Sequence, residues 1–160
     1  MLKIKKNKIK RSFYPWAMAS LVCMIAIFWF SSQSADESGE LSGAVTRIFA
    51  VDLLGIVFSE VFIELLEVIV RKAAHFVIYA MLSFCTAYTV RQLTDKRRYI
   101  FLVSVSWCSF YAMTDELHQH FVPGRACMWQ DWVIDTVGTL LGVCVAFIIM
   151  RLVEARKKDI

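Results

Sequence analysis

The 160 residues are 58% hydrophobic and 20% charged, with 6 Gly and 2 Pro, against about 45–50% apolar residues in soluble globular domains. This balance excludes a disordered chain, which combines low hydrophobicity with high net charge, excludes collagen-like or low-complexity sequence, and argues against an ordinary soluble domain. The 18 basic and 14 acidic residues leave a net charge of +4, but the basic ones sit at the ends of apolar runs, which points to membrane orientation and no nucleic-acid partner.

In chain order, residues 1–13 form a basic tail holding Lys3, Lys5, Lys6, Lys8, Lys10 and Arg11. An apolar run over 14–30 follows. It is long for the core of a signal peptide and has no A-x-A cleavage pattern after it, so it is expected to stay as a first span. Further apolar runs occupy 73–90, 99–113 and 133–150; the first and last approach the length of about 20 residues that a transmembrane helix needs, and 99–113 is short unless it borrows flanking residues. With the N-terminus in the cytoplasm, four spans put six basic residues in the first tail. They put Arg91, Lys96, Arg97 and Arg98 in the inner loop, and Arg151, Arg156, Lys157 and Lys158 in the tail 151–160. Only Arg47, Arg71, Lys72 and Arg125 fall outside, which matches the positive-inside rule. The fold class is all-α: a single membrane domain with four transmembrane helices and both termini cytoplasmic.

The outer segment 31–72 contains the mostly apolar stretch 44–70, which carries Arg47, Asp52, Glu60, Glu64 and Glu67. A fifth span there would bury ionised residues and turn the basic 91–98 loop outward. Glu60, Glu64, Glu67 and Arg71 share one helical face, and Phe58, Phe62, Leu65 and Ile69 share another. The reading is an amphipathic helix on the outer surface between the first and second spans, running into the second.

Of the five cysteines, Cys23, Cys85, Cys108 and Cys144 lie in apolar runs and Cys127 in a polar one. None has C-x-x-C spacing, so neither a structural disulfide nor a thiolate zinc site is expected.

On this topology the outer ends of all four spans carry polar residues, and ionisable residues at membrane depth are functional candidates by default. The first span ends in Ser31-Ser32-Gln33-Ser34. Lys72, His75 and Tyr79 share a face at i, i+3, i+7. Asp115 with Gln119, and Glu116 with His120, are i, i+4 pairs, while His118 and His120 read as solvated interface residues. Asp131, Asp135, Gly138 and Gly142 form one stripe. Its G-x-x-x-G step allows close helix approach and turns both aspartates toward neighbouring helices. Pro123-Gly124 begins a tight turn that folds Arg125 back. A purely structural alternative is that Lys72 and Arg125 simply neutralise Asp115, Glu116, Asp131 and Asp135, yet this leaves carboxylates in excess.

These residues resemble the VanZ-like family of bacterial membrane proteins. The resemblance rests on Phe30-Ser31-Ser32-Gln33, Lys72-x-x-His75-Phe76-x-x-Tyr79, Asp115-Glu116-x-x-Gln119-x-Phe121-x-Pro123-Gly124-Arg125 and the run from Asp131 to Gly138. It covers roughly residues 25–145. One departure is that Asp135 stands where the family commonly has asparagine. The resemblance implies a multi-pass protein of the bacterial cytoplasmic membrane and cell envelope. Its founding member is associated with low-level resistance to teicoplanin, a lipid-bearing glycopeptide antibiotic.

Two functions remain open, and the chain is not decided as an enzyme or otherwise. In the first, an outward-facing site binds a membrane lipid headgroup, a lipid-linked cell-wall precursor or a lipoglycopeptide, through Ser32, Gln33, Lys72, Tyr79, Gln119, Arg125, Asp131 and Asp135. Arg125 is suited to bidentate contact with phosphate or carboxylate. In the second, a membrane hydrolase or transferase uses His75, Asp115 and Glu116 as acid–base groups. A divalent cation on Asp115, Glu116, Asp131 or His75 fits by ligand type, but no particular metal or other cofactor is indicated. A transporter ranks last, because no polar string crosses the midplane. Oligomeric state is not indicated.

Overall fold

The computed structural model describes residues 12–48 and 60–157. Most of the basic N-terminal tail, with Asp52, Phe58 and Lys158, lies outside the described residues. Among the described residues five helices follow one another: α1 (Phe13–Ser31), α2 (Ala35–Arg47), α3 (Glu60–Arg91), α4 (Arg97–Gln119) and α5 (Trp129–Arg156). No strand occurs among the described residues.

Helices α1 and α5 are long and apolar enough to cross a membrane. The 19 residues of α1 span about 28 Å at 1.5 Å per residue, close to the hydrocarbon thickness of a bilayer. Pro15 falls in its first turn, where no intrahelical amide bond is lost. The runs 73–90 and 99–113 lie inside α3 and α4, longer helices with charged ends.

Between the first two apolar runs, the described residues hold α2 and the start of α3. Helix α2, amphipathic, is nucleated by Ser34: its hydroxyl accepts from the Glu37 amide at 3.3 Å while the Glu37 carboxylate accepts from the Ser34 amide at 2.9 Å. Such a capping box satisfies two otherwise orphaned amides. Ser38, Ser42, Gly43 and Thr46 are buried at one-turn spacing, and α2 packs on α3. The 32-residue α3 runs without a break from the acidic stretch into the apolar one, as expected from its continuous helical pattern.

Packing centres on α3, which touches α1, α2, α4 and α5. A methyl added at Gly138 would strike the Phe76 carbonyl, and one at Gly142 the Ala80 carbonyl. The Gly138-x-x-x-Gly142 step therefore sets the α3–α5 distance. Ser83 donates to the Thr139 carbonyl at 2.8 Å across this seam. Tyr111 ties α4 to the Met24 carbonyl of α1 at 2.8 Å. Two apolar clusters fill the interior, one around Ile27, Tyr79, Leu82, Cys108 and Ala112, the other around Ala87, Ile100, Ala146 and Met150.

The exterior is unlike that of a soluble bundle, and several polar side chains lie inside among the apolar clusters. Val22, Ile25, Phe28, Trp107, Phe110, Leu141 and Ile148 are exposed, whereas Ser83, Ser104, Asp115, Glu116, Asp135 and Thr139 are buried. One end of the bundle is basic, with Arg91 and Arg97 both held by Glu154 at 2.6 and 2.9 Å. The other gathers the end of α1 and α4 and the start of α5 around the middle of α3. All five cysteines are free.

Candidate functional site

The turn after α4 shapes the site. Gly124 takes φ 74°, the left-handed value that the third position of a type II turn requires, and the Arg125 amide closes the turn on the Val122 carbonyl at 3.1 Å. The Pro123 carbonyl accepts from the Ala35 amide at 3.3 Å, which pins the turn to the start of α2. Arg125 consequently reaches back. Its Nη1 donates to Gln119 Oε1 at 3.2 Å and its Nη2 to the Phe30 carbonyl at 3.3 Å.

Gln119 in turn donates to Asp115 Oδ2 at 3.1 Å and to Glu116 Oε1 at 3.4 Å. Glu116 Oε2 accepts from the Met128 amide at 3.1 Å. Burial pushes the Glu116 carboxyl up to about 7, with Asp131, Asp135 and Asp115 adding to the rise against the Met128 hydrogen bond. Arg125 is lowered by burial and by the nearby Arg71 guanidinium.

The α3 and α5 stripes meet face to face. Lys72 Nζ pairs with Asp131 Oδ1. One turn deeper, His75 Nδ1 lies 3.8 Å from Asp135 Oδ2. His75, Asp115 and Asp135 each offer a ligand atom, and these atoms lie within 4.8 Å of one another. Tyr79 is fully buried below them, its hydroxyl without a hydrogen-bond partner among the described residues.

Two cavities adjoin this centre. A polar one of about 300 Å³ is lined by Lys72, Glu116, Gln119, Met128, Asp131 and Asp135. An apolar one of about 270 Å³ is lined by Ile27, Phe30, Gln33, Leu41, Val45, Val70, Ala74 and Ile78. Arg71, His75 and Arg125 line both. The Nε atoms of Arg71 and Arg125 are buried without a hydrogen-bond partner among the described residues.

Lys72, His75, Asp115, Glu116, Gln119, Arg125, Asp131 and Asp135 thus converge, with Tyr79 beneath and Gln33 in the wall of the apolar cavity. Ser32 points elsewhere: its hydroxyl bonds the Phe28 carbonyl at 2.6 Å and His118 Nε2 at 3.1 Å. His118, expected to be solvated, stacks on Phe28 with ring centroids 4.8 Å apart and joins α4 to α1.

Sequence reasoning missed Arg71 as a site residue and noted Ser31 only within the polar end of the first span. Arg71 stands four residues before His75, a spacing that places both on one face, but its acidic neighbours in α3 drew it to their stripe. Ser31 is buried beside Asp115 and continues the buried line of Ile27, four residues earlier. Nothing in sequence pointed to α2 as a wall of the apolar cavity.

A family model described as VanZ/LLP1 matches residues 16–151. The chain belongs to the VanZ/LLP1 family. No curated protein and no solved structure shows a significant match. The VanZ/LLP1 region takes in most of α1 and α5, the whole of α2, α3 and α4, and all of the site, leaving only the two ends of the chain outside it.

Proposed function

We propose that this VanZ/LLP1 protein is an integral protein of the bacterial cytoplasmic membrane that crosses it four times, has both termini in the cytoplasm, and binds an amphiphile with an anionic headgroup at its outer face. Four helices with large apolar side chains exposed on their outer faces support the membrane setting. The segment 73–90 contains no Asp, Glu, Lys or Arg, which supports a span within α3. The basic residues at one end of the bundle support the orientation.

One observation carries the binding reading: a polar and an apolar cavity meet at Arg71, His75 and Arg125. A phosphate or carboxylate beside the two guanidiniums would use the buried Nε donors of both arginines, while an acyl or prenyl chain would fill the space between α1, α2 and α3. Lipid-linked cell-wall precursors and lipoglycopeptides such as teicoplanin have this two-part chemistry, which links the site to glycopeptide susceptibility.

The expected outcome is that R71A and R125A lose co-purifying anionic lipid, seen by native mass spectrometry, at normal membrane expression. In a deletion strain the same variants are expected to lose the wild-type effect on teicoplanin susceptibility. Unchanged lipid content in both variants would overturn the binding reading. A wild-type chain without effect on susceptibility would remove the glycopeptide link alone.

A second reading, a hydrolase or transferase acting on an envelope lipid or glycan, is favoured by Glu116. A carboxyl that titrates near neutrality is suited to general acid–base work, and His75 and Asp115 would be its partners. Product formation from a lipid-linked substrate, lost in H75Q and D115N while lipid binding survives, would establish it.

A further inference from the structure

We propose that His75, Asp115 and Asp135 form a binding site for a divalent first-row transition ion of the zinc or manganese type. The inference does not depend on the amphiphile reading, since it concerns an ion held by protein side chains alone.

The donor set is one imidazole nitrogen and two carboxylates from three helices, with ligand atoms within 4.8 Å of one another. Bonds of about 2.0–2.2 Å bring ligand atoms to roughly 3–3.5 Å apart, so small side-chain rotations complete the set. Imidazole with carboxylate suits zinc, iron or manganese, and the absence of thiolate disfavours softer ions.

Asp135 is the deciding residue. It is 1% exposed, and neither of its oxygens has a hydrogen-bond partner among the described residues. The His75 nitrogen at 3.8 Å is too far for a hydrogen bond. Lys72 is paired with Asp131, and the terminal nitrogens of Arg125 bond Gln119 and the Phe30 carbonyl. A buried carboxylate without a hydrogen-bond partner is costly, and a divalent ion between His75, Asp115 and Asp135 would satisfy it while cancelling two negative charges.

The fully buried Tyr79 hydroxyl, likewise without a partner among the described residues, lies a turn along α3 from His75, where it would be available as an outer-shell donor once a metal is held. His75 and Asp135 also line the polar cavity, so three protein ligands would leave a coordination position open toward it. That is the pattern of a reactive or ligand-binding metal site, whereas a structural site is closed by four.

The test uses the full chain purified in detergent and stripped with chelator, with Zn2+ and Mn2+ as probes. The expected result is about one ion per chain after dialysis and a raised thermal unfolding midpoint. H75Q and D135N are expected to weaken the ion at least tenfold and to abolish the midpoint rise, whereas D36N, on an exposed face of α2, keeps both. Absence of stoichiometric binding, or undiminished binding in both variants, would overturn the site. Should the variants fail to fold, X-ray absorption of the wild-type zinc form decides: nitrogen and oxygen ligands including one imidazole support the site, and a sulfur-containing or imidazole-free shell refutes it.

Discussion

Gly142 shows how a single hydrogen atom sets an interhelical distance. The Ala80 carbonyl and the Ser83 hydroxyl occupy the space a β-carbon would need, so G142A must push α3 and α5 apart. Overpacking of this kind costs about 1–3 kcal/mol. G142A is expected to lower the thermal midpoint in detergent, while G39A, where the nearest atom to an added methyl is 4.0 Å away, leaves it unchanged or raised. Equal midpoints for G142A and wild type would mean that the seam is loose. The same seam places His75 opposite Asp135, so the glycines also hold the site together. Asp115, Gln119 and Arg125 show the limit of residue-scale reading. Helical spacing paired the first two, and the turn chemistry of Pro123-Gly124 returned the third, but the acceptance of Arg125 by Gln119 Oε1 depends on the loop's path.

At the scale of elements, α2 is the least apolar of the five helices and owes most to its cap. Replacing Ser34 by alanine removes the acceptor for the Glu37 amide, a loss of about 1 kcal/mol. Backbone amides of 35–47 are therefore expected to exchange with solvent about fivefold faster in S34A, and S34D, which keeps an acceptor, to restore the wild-type rate. No change in S34A would show that packing on α3, and not the cap, holds the helix. Because Leu41 and Val45 line the apolar cavity, α2 is the element through which an amphiphile's tail would be sensed. The amphipathic pattern expected in 44–70 belongs partly to the start of α3. The acidic stretch from Glu60 to Arg71 that suggested a separate surface helix is the start of α3, and Ser34 and Glu37, which start α2, lie upstream of it.

The whole molecule is a bundle with a basic end and an end where polar groups are enclosed. The proposed orientation assigns the second to the cell exterior, and Cys127 is a native reporter of it. This thiol is exposed and lies between α4 and α5. In intact cells of an expression strain whose outer surface is reagent-accessible, a membrane-impermeant maleimide is expected to label wild type and not C127S. Labelling that needs permeabilised cells would reverse the topology and with it the outward-facing site.

Sequence alone determined the helical class, the positions of the apolar runs, the asymmetry of basic residues and the family. Each of these depends on local composition and on one-dimensional periodicity. It also marked most of the converging side chains, because a turn of helix every 3.6 residues puts i, i+3, i+4 and i+7 on one face. Tertiary structure alone decided which face meets which. It set Asp135 against His75 and left its oxygens without hydrogen bonds, drew Ser32 and His118 into an α1–α4 contact, and brought Arg71 beside Arg125. It also opened an apolar cavity next to the polar one. The reason is that a side chain's partner across a bundle is fixed by crossing distance and helix rotation. Those follow from small residues such as Gly138 and Gly142, and from one turn at Gly124, acting over sequence separations that no local pattern encodes.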